Sequence, residues 1–148
     1  MAIYSASFNS TQPGSIANAP IASAQASAVN RFSLIDFAAI FLTQPTSVRL
    51  SLGRASSSSV IARPQYAYPD SVETSSSRSL TAFGTEWTTP PGAASQYFRS
   101  CTTAQSIGGG VLWSFPRGIQ VQYSAEIVLW SPLAFATPTV LCNWVINE

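Results

Sequence analysis

Apolar side chains recur along this chain at every second position far more often than at helical spacing, and that period limits what it can fold into. In TVLCNWVIN, residues 139–147, Val140, Cys142, Trp144 and Ile146 share one face. In SVRLSLGRA, residues 47–55, Val48, Leu50 and Leu52 point one way while Arg49, Ser51 and Gly53 point the other. A strand sends successive side chains to opposite faces, so each stretch reads as a strand with one buried side. SLTAFGTEW, with Leu80, Phe83 and Trp87, and QYFRSC, around Phe98, are further strands. RFSLIDFAAIFL carries Phe32, Leu34, Ile35, Phe37, Ile40 and Phe41 in neither period cleanly, and reads best as a strand. Turn residues separate these runs at short spacing, which makes the chain all-β.

Residues 108–130, GGGVLWSFPRGIQVQYSAEIVLW, extend the pattern. Val111, Trp113 and Phe115 alternate along a strand that ends at Phe-Pro-Arg-Gly, where proline and glycine suit positions i+1 and i+3 of a type I turn. Ile119 and Val121 form the next strand, Tyr123–Glu126 an exposed turn, and Ile127 and Leu129 a third strand. The expectation is a three-stranded meander with Trp113 and Leu129 facing inward. One sheet cannot cover its own apolar face. About eight short strands without a strong helix signal therefore point to a β-sandwich over residues 31–148, a jelly roll being the favoured form.

Residues 1–30 read differently. Small residues and two prolines surround sparse apolar positions at Ile3, Tyr4, Phe8, Ile16, Ile21 and Val29, too widely spaced to make a core alone. The segment also lacks the charge of an ordinary solvated tail. It is expected to be an extended N-terminal arm, docked on its own sandwich or on a neighbouring subunit through Ile3, Tyr4, Phe8 and Ile16. Residues 55–79, rich in serine, form a long and mostly irregular connection with a short strand at 60–62. Connections of that length often bind something, which makes Tyr66 and Tyr68 candidate contact residues; packing of their own loop is the plainer role.

Thirteen charges on 148 residues, seven arginines with no lysine and six carboxylates, give a net charge of +1, while serine and threonine supply 36 residues. Copies of so neutral a chain repel one another weakly, so association is the expectation. Arginine's planar fork suits interfaces, and Arg49, Arg54 and Arg99 are the candidates for such contacts, solvated exposure being the default for each. The uncharged run 127–147 is long enough to span a bilayer, but Pro132, Pro138 and Asn143 interrupt it where every backbone group needs an internal partner. The N-terminus lacks the basic start of a signal peptide. Cys101 and Cys142 read as free thiols of a reducing compartment, the alternative being a pair formed on oxidation if they lie on adjacent strands.

The missing residue types exclude much chemistry. With no histidine there is no Ser-His-Asp or Cys-His arrangement, and with no lysine no phosphate-loop signature, Schiff base or Ser-Lys pair. Asp36, Asp70, Glu73, Glu86 and Glu126 could act in pairs, but no spacing singles out a pair. Two distant cysteines make a poor zinc site, and Asp70 with Glu73 falls short of a calcium loop. Scattered single arginines form no basic stripe for nucleic acid. The expectation is therefore a non-enzyme with no metal, no cofactor, no nucleic acid and no membrane partner.

In its inferred strands, its neutral surface and its uncharged arm, the chain resembles accessory proteins of tailed-bacteriophage particles. These include the decoration or cement proteins that form oligomers, often trimers, on the capsid, and the jelly-roll modules of tail fibres. The resemblance is architectural and assigns no residue a role. It implies a virion structural protein, made in the host cytoplasm, that oligomerises, with a trimer favoured, and clamps the major capsid protein or other virion proteins through its arm. The alternative is a carbohydrate- or receptor-binding sandwich, in which Tyr66, Tyr68, Trp87 and Tyr97 would stack on sugar faces.

Overall fold

The computed structural model describes residues 2–10, 19–45, 49–70, 77–132 and 139–148, apart from the side chain of Ser95. Among these the chain forms twelve strands: β1 (Ile3–Ser10), β2 (Ala19–Gln25), β3 (Phe32–Phe41), β4 (Arg49–Ala55), β5 (Val60–Ile61), β6 (Tyr68–Pro69), β7 (Ala82–Gly84), β8 (Trp87–Thr89), β9 (Ala94–Thr102), β10 (Gly110–Val121), β11 (Glu126–Ser131) and β12 (Val140–Asn147). They build two five-stranded antiparallel sheets, in the orders β10-β3-β12-β1-β6 and β7-β2-β11-β4-β9, and a small β5-β8 pair. The two large sheets pack face to face as a β-sandwich.

The eight long strands pair in a nested order. The first lies beside the last (β1 with β12), the second beside the seventh (β2 with β11), the third beside the sixth (β3 with β10), and the fourth beside the fifth (β4 with β9). Cross-pairings of β12 with β3 and of β11 with β4 close each sheet. Such a path is that of one long hairpin, with its bend between β4 and β9, folded over on itself.

The core follows from the alternation. On β12, Val140, Cys142, Trp144 and Ile146 are all buried, as their period requires. Trp113, Phe37, Trp144 and Ala6 lie in one row across the first sheet. Phe37 meets Trp144 edge-on with centroids 4.5 Å apart, and Trp113 stacks on Phe37 at 6.1 Å. Leu50, Leu52, Ile127 and Leu129 answer from the second sheet. β3 escapes a clean period because it changes face midway. Phe32 and Leu34 are buried, then Phe37, Ala39 and Phe41, and the register slips at Ile35 against both neighbours. A bulge inserts one residue and shifts the parity of everything beyond it.

The expected N-terminal arm is not an arm. Residues 3–10 and 19–25 are strands of the two sheets, and β1 and β2 each lie between two neighbours. Tyr4 and Ala6 belong to the core, and Phe8 packs against Phe83 at 5.5 Å. Their pattern looked sparse because the small residues stand opposite large ones. Ala6 faces Trp144, while Ala22 and Ala24 face Leu129 and Ile127.

Further expectations are corrected. Phe-Pro-Arg-Gly does not end a strand: β10 runs through it, with a bulge between Ser114 and Ile119 in which Gly118 takes a φ of +66°. β11 lies in the opposite sheet, so no meander forms. SLTAFGTEW splits into β7 and β8 of different sheets, leaving Leu80 exposed. Trp113 is half-buried, whereas Leu129 is fully buried as expected.

Tyr123 sits in an exposed turn, with Ser124 at a φ of +56°, but Glu126 is only 1 % exposed. Its carboxylate accepts hydrogen bonds from the Ser59 amide at 2.7 Å and the Ser59 hydroxyl at 2.8 Å, tying the β4–β9 connection to the second sheet. Glu126→Ala should cost about 3 kcal/mol in urea denaturation, since it strands two buried donors of charge-assisted bonds; Glu126→Gln, which keeps an acceptor, should cost about half as much.

Candidate functional site

Two surfaces stand out. The first is the outward face of the first sheet, where the registers lay side chains in rows. Leu112, Ala38, Asn143 and Ser7 form one row; Gly110, Ile40, Leu141 and Asn9 flank it on one side, and Ser114, Asp36, Val145 and Ser5 on the other. The three rows carry a single charge, Asp36. Some of their polar groups are engaged with one another or with the neighbouring stretch of chain. Ser7 donates to the Asn143 carbonyl at 2.6 Å, and the Ser5 amide and hydroxyl donate to the Asp70 carboxylate at 2.9 and 2.6 Å. Leu112, 70 % exposed, and Ile3, 53 % exposed, bring apolar surface to it. The opposite face of the sandwich is covered in part by the chain itself: Trp87 donates to Ser23, and Gln25 to the Ser59 carbonyl.

The second surface is an open groove of about 610 Å³ between the outer edges of β9 and β10, lined by residues 96–99 and 115–119. Both edges are bulged there. On β9, Arg99 pairs with Leu52 and Tyr97 with Gly53, leaving Phe98 as the extra residue; on β10 the bulge is Phe115–Gly118. Bulges re-aim side chains and interrupt regular pairing. The Arg99 guanidinium lies 5.3 Å from the Phe115 ring centre and donates to the Phe98 carbonyl at 2.9 Å. Arg54 lies over the other aromatic, 5.8 Å from the Phe98 centre, and donates to the Gln120 carbonyl at 3.2 Å. The Tyr97 ring rests on the bare backbone of Gly53, where an added Cβ would stand 2.9 Å from its Cδ1. Arg117 is exposed at the rim, and no carboxylate lines the groove among the described residues.

The candidates from sequence are dispersed over the molecule. Ile3 is exposed on the first sheet's outer face, Tyr4 is buried and cannot reach a partner, Phe8 is half-buried on its own core, and Ile16 lies outside the described residues. Arg49 is exposed at the start of β4. Tyr66 is half-buried with Arg78 stacked 3.9 Å over its ring, and Tyr68 is 66 % exposed on the edge strand β6. Among the described candidates only Arg54 and Arg99 come together, both on Phe98 beside the groove, which the aromatic candidate Tyr97 also lines. Phe98, Phe115 and Arg117 were missed as site residues, because Phe-Pro-Arg-Gly reads as a turn.

Both cysteines are free. Burial pushes the Cys142 thiol up to about 12 and raises Cys101 as well, more than its backbone hydrogen bond to Leu50 lowers it, so both stay protonated at neutral pH and are weak nucleophiles. No helix is long and apolar enough to cross a membrane among the described residues, and no three potential metal ligands among them converge. Comparison with models of protein families, with curated proteins and with solved structures gave no match to this chain.

Proposed function

We propose that this protein is a non-enzymatic structural protein of a virus particle, a jelly-roll subunit that oligomerises on the capsid as a decoration or cement protein. The nested pairing of the eight long strands supports reading the sandwich as a jelly roll, an arrangement recurrent in viral capsid and lectin domains. A fold licenses no function alone. The observation that carries the proposal is the first sheet's outward face: three rows across four strands whose one charged residue is Asp36, with the Asp70 carboxylate held by Ser5 at their edge, Leu112 exposed within them and Ile3 exposed in the next row. Interface cores are depleted of charge in this way, whereas solvated sheet faces ordinarily carry alternating lysine, glutamate and arginine.

Size favours a ring. Four strands about 4.8 Å apart and some eight residues long offer roughly 500 Å², against about 800 Å² per partner in a stable interface. A second, different contact per subunit would supply the rest, as in a closed cyclic oligomer, and a trimer remains the favoured number. With β1 inside the sandwich, the clamp on neighbours passes from the arm to this face.

Leu112→Arg or Ala38→Arg should weaken self-association about a hundredfold by burying an unpaired charge in the contact, with the circular dichroism unchanged. Oligomers that survive both variants would reject the face as the contact.

A further inference from the structure

We propose that the groove between β9 and β10 binds a sugar that carries a carboxylate. The groove is a built feature. Two bulges on facing sheet edges bring Phe98 and the Phe115–Gly118 segment to it, and Tyr97, 43 % exposed, is among its lining residues. Its volume of about 610 Å³ suits a small ligand.

Charge selects the ligand's sign. Arg99 and Arg117 line the groove with no acid among its described residues, and a guanidinium fork pairs a carboxylate through two parallel bonds. Arg99 is already oriented by Phe115 and the Phe98 carbonyl, so little freedom is lost when it binds. Tyr97 at the lining brings aromatic surface against which a pyranose ring would pack, and Gln96 an amide for its hydroxyls.

An added peptide strand is disfavoured. Pro116 has no N–H, and the bulges break both ladders along this stretch, so an extended segment finds no regular row of donors and acceptors. Nucleic acid would need a longer run of cations than two arginines.

The site is independent of the assembly face, so a monomeric Leu112→Arg chain should bind as well as the unaltered one. The experiment is a titration of the full chain, followed by ligand-observed NMR, with N-acetylneuraminic acid, with the uncharged methyl β-galactopyranoside, and with acetate. The acidic sugar should bind in the millimolar range or better, with the neutral sugar and acetate each at least about tenfold weaker. Arg99→Gln, Arg117→Gln and Tyr97→Ser should each weaken it about tenfold. All three side chains are exposed, so an unchanged denaturation midpoint will certify the fold. Equal binding of acid and neutral sugars, equal binding of acetate, tighter binding of an acidic peptide, indifference to the three variants, or no binding would each overturn the proposal.

Discussion

Trp144→Ala is expected to destabilise the protein by about 3–5 kcal/mol, the usual cost of emptying a buried aromatic site. Trp144 is 1 % exposed at the centre of the first sheet, edge-on to Phe37 and 6.0 Å from Phe83 of the opposite sheet. Its loss opens a cavity between the layers that alanine at position 6, opposite it, cannot fill. Against a total stability of about 5–15 kcal/mol, the variant should be close to unfolding at 37 °C. Trp144→Phe retains the ring contact and should cost about half as much. Trp113→Ala provides the contrast: the side chain is half-buried on the edge strand β10, and its loss should cost about 1–2 kcal/mol. Equal midpoint shifts in urea for the two alanine variants would contradict the assigned burial.

Deleting residues 2–28 should abolish folding altogether. The deletion removes β1 and β2, one strand from each sheet, and leaves both β12 and β11 with one neighbour in place of two. It uncovers Trp144 and Ile146 along the first sheet and Ile127 and Leu129 along the second. The exposed edges would also invite pairing between chains. The expected product is aggregated or lacks native β-sheet circular dichroism. A soluble truncated chain with the full β spectrum would show that the N-terminal strands are dispensable, as an arm would be.

The contrast between β12 and β1 explains what the sequence makes legible. Val140, Cys142, Trp144 and Ile146 announce a buried strand face by bulk and period together, and the structure buries all four. Ala6 keeps the same period with little bulk, because the volume at its row belongs to Trp144 on the neighbouring strand. Packing conserves volume per layer, not per strand, so a strand of alanine and serine beside a tryptophan strand looks like a tail until the pairing is known. Bulges hide in a similar way. The extra residue at Ile35 blurs the period of β3, and the one at Phe115–Gly118 imitates a turn while β10 continues. Glu126 looked solvated because its partner, Ser59, is 67 positions away.

The groove illustrates the same limit. Arg54 and Arg99 were legible as interface-type residues and Tyr97 as a sugar-stacking one, but nothing in their spacing unites them with Phe115 and Arg117. The pairing of β9 with β4 and of β10 with β3 places two sheet edges side by side, and the site exists only once both sheets are formed.

Sedimentation velocity of the unaltered full-length chain, from about 1 to 100 µM at physiological salt, tests the assembly proposal most directly. The account predicts a discrete oligomer, with three chains as the favoured number, that persists across most of this range and dissociates in Leu112→Arg. A single species of one-chain mass at every concentration would contradict it.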